Sequence, residues 1–487
     1  MPSRTARILG LLPPGTLPVA AGLIAIALGS YLHLAIAGHS LPTSGMAAVS
    51  VLWSIVYLLN LGVFLPVEQE LARLVAAGRT LGEGVLPVVR RGAVLAAAVL
   101  AATLIPVAAA ARPLAGSLFG GDVAMVAVLA SACVALAVAA VSRGTLAGLG
   151  KFRAYGSQLA IDGGLRITLA GALGVAGVRA AAAYGLILTV APLLGAVATL
   201  GPRLGGLRPG PAAAGWWAMS SRLGLLIATM LLAQVVMNAA VVLVRLLSPG
   251  DAAAVGALLA AFILARVPLF VFASVQAALL PGLAGAIAAG DQARFRQLIA
   301  RGCGAVTILG VAGGLPVTIG GPWLIQVLFA ARPVLGHADF GWLAFGTLFY
   351  MLAMVLGQGA MALSRHRALL LSWLAGVLVL ALVTITPGDV ITRVVIAYAA
   401  GSLTAACTLA VVLAQRTASG GGTGSVREYR STMASSMLSP IAAPASARLP
   451  ARFPRYSAAT TMPPITSQPT TMNGASETGQ GGSGTTE

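Results

Sequence analysis

The chain has 487 residues, 58% of them hydrophobic and 9% charged, with a mean hydropathy of +0.94 and a formal net charge of +18. A soluble globular protein carries about a quarter charged residues. This composition excludes a water-soluble enzyme and places the chain in a bilayer, where backbone polar groups must be satisfied internally. The basic residues are spread over short segments, not gathered on one face, which excludes a nucleic-acid-binding surface.

Apolar windows of about twenty residues, enough to cross hydrocarbon as a helix, fall near 17–38, 45–65, 92–111, 123–142, 156–177 and 180–200. The start, MPSRTARILG, is basic, but the run behind it from Leu17 to Gly38 outlasts the apolar core of a signal peptide and reads as the first span. A Gly/Pro-rich break, GPRLGGLRPGPAAAG, covers Gly201–Gly215. Six more windows follow, near 217–243, 254–280, 302–320, 340–362, 368–386 and 391–414. From about residue 417 the chain is rich in Ser, Thr, Gly, Pro and Ala without periodicity, the composition of a disordered tail. The prediction is an all-α polytopic membrane protein of about twelve transmembrane helices. They form two six-helix bundles, 1–200 and 217–416, joined by a loop over 201–216 and followed by the tail 417–487, a place for a protein partner.

The six-plus-six division is supported by short matches that keep their order. FLP at Phe64–Pro66 pairs with LLP at Leu279–Pro281, and AAG at Ala76–Gly78 with AAG at Ala288–Gly290. PLAGSLF, Pro113–Phe119, pairs with PWLIQVLF, Pro322–Phe329, and RGTLAGLGKFR, Arg143–Arg153, with GQGAMALSRHR, Gly357–Arg367. Two repeats of six spans share orientation and are related by an axis along the membrane normal, with a site expected between them near mid-bilayer. With the N-terminus inside, twenty-three of the thirty basic residues lie on the inner side and five outside, as the positive-inside rule requires. Both termini are therefore expected in the cytoplasm.

Arg166 and Arg266 are the two basic residues left inside spans. An arginine at mid-bilayer costs about 2.5–3.5 kcal/mol on insertion scales, and such residues usually face an internal cavity. Arg266 sits near the middle of the eighth window, AAFILARVPLFVFASVQAALLP, and Pro268 behind it invites a kink. Its readings are a cavity cation or an arginine satisfied by backbone carbonyls. Asp162 and Arg166, four apart in the fifth window, share a helix face, as a self-contained pair or as a cavity charge held in position. Gln234 and Asn238 repeat that spacing in the seventh window, as amides bridging helices or contacting sugar hydroxyls. Arg222, beside Trp216 and Trp217, is an anchor in an aromatic belt or a basic residue at the inner mouth of a cavity. His33 reads as hydrogen-bonded structure rather than a proton carrier. Glu68 and Glu70 read as a solvated face paired to nearby arginines. Cys133, Cys303 and Cys407 read as small buried hydrophobes. No phosphate loop, HExxH, GxSxG or Cys/His cluster is present, so no cofactor or metal is expected.

ARVPLFVFASVQAALLP, Ala265–Pro281, resembles the matching span of the lipid II flippases, where an arginine precedes Pro-Leu and Phe and the helix closes with Leu-Leu-Pro. FLPVEQE, Phe64–Glu70, and the repeated Leu-Phe motifs resemble the wider multidrug/oligosaccharidyl-lipid/polysaccharide (MOP) exporter superfamily. The resemblance covers roughly residues 15–415. It implies a V-shaped pair of bundles around a central cavity, rocking between inward-open and outward-open states in a bacterial cytoplasmic membrane. In the flippase branch a cationic cavity receives the diphosphate of a polyprenyl-linked sugar, and Arg266 matches its arginine. The first span here carries no basic residue and the spans number twelve, not fourteen. Both departures favour a polysaccharide- or teichoic-type exporter. The alternatives are a cation-coupled multidrug antiporter of the same superfamily, which needs an intramembrane carboxylate and has only Asp162, and a non-transporting scaffold.

Overall fold

The computed structural model describes residues 16–80, 84–200, 216–269, 272, 279, 283, 285–287, 289–330, 334–363 and 365–419, without the side chains at 16, 80, 216–222 and 416–419. The predicted loop over 201–215 and the tail beyond residue 419 lie outside the described residues. All described residues belong to one compact unit, Met1–Val426, and no strand occurs among them.

The helices are α1 (Thr16–Ser40), α2 (Thr43–Leu59), α3 (Leu65–Thr80), α4 (Leu86–Ala109), the short α5 (Ala111–Leu118), α6 (Val123–Gly148), α7 (Phe152–Val175) and α8 (Ala181–Leu200). After the break come α9 (Trp216–Leu247), α10 (Ala252–Ala265), α11 (Gln292–Phe329), α12 (His337–Ala362), α13 (His366–Thr384) and α14 (Val390–Ser419). Eleven helical stretches among the described residues are long and apolar enough to cross a membrane. The twelfth long helix, α7, matches them in length but carries Asp162 and Arg166 in its middle. The protein is a multi-pass, all-α membrane protein with helices at the twelve predicted places.

Two boundaries differ from expectation, and a third helix breaks where Pro268 invites a kink. The second span does not end at Pro66 but runs on, Thr43–Arg79 forming one 37-residue helical stretch. A π-turn over Asn60–Phe64 precedes the proline, and Leu65 N–H donates to Asn60 O, five residues back. That wider register absorbs the donor Pro66 lacks, so the helix continues. The ninth span, α11, has 38 residues and reaches about 57 Å, well beyond the ~30 Å of hydrocarbon. Its first turns, QARFRQLIAR, are charged and were too polar to register as a span. In the eighth span Arg266 does not sit within an unbroken helix: α10 ends at Ala265, and Arg266 takes a turn conformation (φ −89°, ψ −6°). Pro268 has no N–H to give Leu264 O and its ring crowds that carbonyl, which releases the turn just upstream.

Small residues set the closest packing, as expected where helices associate without a hydrophobic drive. A methyl on Gly22 would lie 2.5 Å from Gly156 O, and one on Gly29 would lie 2.4 Å from Gly163 O. Helices α1 and α7 therefore meet backbone to backbone and run parallel. Gly144 and Gly148 of α6 meet α3 at Glu68 and Ala72 in the same way, again parallel. Gly376 and Gly401 bring α13 and α14 together antiparallel. Helices from before and after the central break also touch. Gly62, in the π-turn, faces the backbone of Leu231 on α9, and Gly38 at the end of α1 faces Phe329 O at the end of α11.

Candidate functional site

Arg266 is held where α10 breaks, and its guanidinium is buried among α2, α9 and α10. It is 7% exposed. Nη2 donates to Met237 O of α9 at 2.5 Å. The guanidinium carbon lies 5.2 Å from the Phe262 ring centre and 5.9 Å from that of Tyr57. Nε and Nη1 are buried and have no hydrogen-bond partner among the described residues. The two expectations for Arg266 thus meet halfway: a backbone carbonyl takes one nitrogen, and two remain for something else. A buried guanidinium with unused donors is costly unless a ligand or water completes it.

The lining is phenolic. Tyr31 of α1 donates to Ile263 O at 3.0 Å, one turn before Arg266. Tyr398 of α14 donates to Met237 Sδ at 3.3 Å and packs edge-on against Phe262 at 5.0 Å. Tyr350 of α12 accepts from Gln234 Nε2 at 3.2 Å. Asn238 Nδ2 donates to Gln234 O and Oε1, at 3.1 and 3.0 Å, while its own Oδ1 is buried without a partner among the described residues. Gln234 therefore bridges α9 to α12, and Asn238 braces it from one turn away on α9. Arg222 lies near the start of α9, and its side chain is outside the described residues.

Asp162 and Arg166 form a tight pair on α7, Nε to Oδ1 at 2.8 Å and Nη2 to Oδ2 at 3.4 Å. Arg166 Nη1 reaches Ser30 Oγ of α1 at 3.2 Å. Ser30 and Tyr31 are neighbours, so α1 touches both the Arg166 pair and the Arg266 segment. His33 Nε2 is hydrogen-bonded to Tyr184 O of α8 at 3.1 Å, the structural role expected of it.

Glu68 and Glu70 correct the sequence reading. Each is 5% exposed, not a solvated face. Glu70 binds Arg73 as expected. Glu68, however, accepts from Arg143 Nε of α6 at 2.6 Å and from Tyr155 OH of α7 at 2.8 Å. Their burial follows from the continuation of the second span as α3, which packs on α6 instead of leaving the protein. The cysteines also diverge: Cys133 is buried, Cys303 half-buried and Cys407 exposed. Sequence reasoning placed Tyr31 in the outer part of the first span without giving it a role and did not single out Tyr57, Tyr350 or Tyr398; phenols inside apolar windows are common in membrane cores.

No family model matches the sequence. Two uncharacterized proteins of Mycobacterium tuberculosis, from strains CDC 1551 and H37Rv, are each 32% identical over 123 residues. The match covers 25% of this chain and 28% of each relative. Solved structures match over far more of the chain. A multidrug resistance MATE family transporter of the MOP superfamily, inward-facing, superposes with a TM-score of 0.65 at 14% identity, over 83% of this chain and 99% of the other. The eukaryotic MATE transporter AtDTX14 gives 0.60 at 16% identity, over 85% and 96%. An outward-facing MATE transporter of the MOP superfamily gives 0.58 at 13% identity, over 86% and 99%. At these identities the likeness is one of backbone architecture: the chain has the fold of the MATE transporters of the MOP superfamily.

Proposed function

We propose that the chain is a bacterial cytoplasmic-membrane transporter that flips or exports a polyprenyl-diphosphate-linked saccharide, or a related cell-wall precursor, by alternating access. The observation that carries this reading is Arg266, buried between helices from both parts of the chain with Nε and Nη1 unpartnered among the described residues. Guanidinium donors suit phosphate oxygens, which accept charge-assisted hydrogen bonds about twice as strong as neutral ones. Gln234 and Asn238, with an unpartnered Asn238 Oδ1, supply neutral groups fit for sugar hydroxyls. Arg166 is held by Asp162, so it contributes field more than free donors.

A second reading, cation-coupled multidrug antiport, is favoured by the solved structures that share the fold, since these are multidrug transporters. It needs an intramembrane carboxylate free to exchange a cation. Asp162 is committed to Arg166 and Glu68 to Arg143.

The two readings part in one experiment. Cells depleted of the protein are analysed by mass spectrometry for polyprenyl-diphosphate sugars, with rescue by wild type or by Arg266→Ala. Accumulation of one species that wild type clears and Arg266→Ala does not is the expected outcome. An unchanged pool with heightened sensitivity to cationic drugs overturns the flippase reading and installs the antiporter.

A further inference from the structure

Arg266 is one link in a continuous stack that joins the first six long helices to the last six. Trp53 and Tyr57, one turn apart on α2, stack at 4.6 Å with their rings 13° from parallel. Tyr57 covers the Arg266 guanidinium, which Phe262 also covers, and Phe262 meets Tyr398 of α14 edge to face. The order Trp53–Tyr57–Arg266–Phe262–Tyr398 crosses the molecule at the buried site. The Tyr57–Arg266 link is the one in it between α2 and α10.

We propose that Tyr57, backed by Trp53, is a positioning residue for Arg266, and that the Tyr57–Arg266 contact is the clasp through which occupancy of the anion site is felt by the opposite set of helices. The inference rests on the reading of Arg266 as a phosphate-binding group. A ring face attracts a guanidinium through its quadrupole, so the attraction scales with the net positive charge presented to it. An anion accepting from Nε or from Nη1 would offset that charge without touching the ring. The clasp is strong with the site empty and weak with it full. A ligand that changes the relative energy of two states shifts their populations by that difference alone. Loosening one inter-helix link on binding is such a difference. Aromatic cover also leaves the in-plane N–H groups as the open edge of Arg266, which selects an acceptor approaching in that plane, as phosphate oxygens can. The residues that position the arginine thus also couple its occupancy to movement.

The test uses full-length protein in nanodiscs with its native cysteines replaced and spin labels at Ser117 and Thr386. Both positions are exposed, one before and one after the central break. Distances are measured without ligand and with inorganic pyrophosphate. Wild type and Tyr57→Phe, which keeps the ring, are expected to shift their distance distribution with pyrophosphate. Tyr57→Leu is expected to hold the shifted distribution without ligand, its population ratio moved roughly tenfold. Trp53→Leu, which leaves Tyr57 unbacked, gives an intermediate shift and serves if Tyr57→Leu does not fold. Wild-type distances in both leucine variants overturn the clasp, whatever pyrophosphate does. A wild type blind to pyrophosphate while Tyr57→Leu is shifted overturns the phosphate reading of Arg266 and leaves the clasp as a link without a ligand.

Discussion

At the residue scale, the two buried arginines are handled differently, and the difference was half-visible in sequence. The four-residue spacing of Asp162 and Arg166 told that they could meet, and they do, at 2.8 Å. Arg266 had no partner within reach along its helix, which made it the odd residue. Its actual surroundings, Met237 O and rings from α2 and α10, depend on tertiary packing that no local spacing encodes. The Asp162–Arg166 pair yields a sharp expectation. Removing one partner of a buried pair strands the other charge, at a cost of about 3–5 kcal/mol, whereas replacing both with apolar residues of similar volume is often neutral or better. Asp162→Asn should therefore lower the thermal unfolding midpoint of the purified protein well below that of Asp162→Leu combined with Arg166→Met. If the double variant is the less stable of the two, the pair is doing more than neutralising itself, and the field at Arg266 becomes its suspected role.

At the element scale, apolar windows placed all twelve long helices but not their ends. Windows report where hydrocarbon begins, while helices end where hydrogen bonding does, and α3 and the start of α11 continue as helix beyond the apolar part. Proline misled at Pro66, where the π-turn relieves it, and guided at Pro268, where no such turn precedes it and α10 breaks. Glycine was the unread signal. Gly163 and Gly164 are adjacent on α7, yet a methyl at 163 would sit 2.3 Å from Ala25 O while one at 164 meets nothing within 4 Å. Gly163→Ala should force α1 and α7 apart, at a cost of about 1–3 kcal/mol for an overpacked contact. Gly164→Ala should be neutral or stabilising by up to about 1 kcal/mol through helix propensity. Thermal melting of the two variants in the same detergent compares them. Equal melting points would mean the α1–α7 contact is not as close as described.

At the scale of the whole molecule, crossing directions join the helix pairs to the charge pattern. The glycine registers make α1 parallel to α7, α3 parallel to α6, and α13 antiparallel to α14. These are the relations that strict up-and-down crossing requires of the first and fifth, second and fourth, and eleventh and twelfth spans. Crossing direction alone does not say which end faces the cytoplasm; we propose, from the excess of arginines on one set of segments, that this side is the inner one. Ser117, between the third and fourth spans, and Thr386, between the eleventh and twelfth, then both lie outside, and Lys151, between the fourth and fifth, lies inside. All three are exposed. In a background without native cysteines, a membrane-impermeant maleimide should modify Ser117→Cys and Thr386→Cys in intact cells, and Lys151→Cys only after permeabilisation. Reversal of all three would invert the protein in the membrane and set the charged start of α11 on the outer face. Disagreement between Ser117 and Thr386 would break the twelve-crossing arrangement itself. The site would survive either result, because Arg266, Tyr57 and Met237 are held by contacts between helices and not by the side from which a substrate arrives.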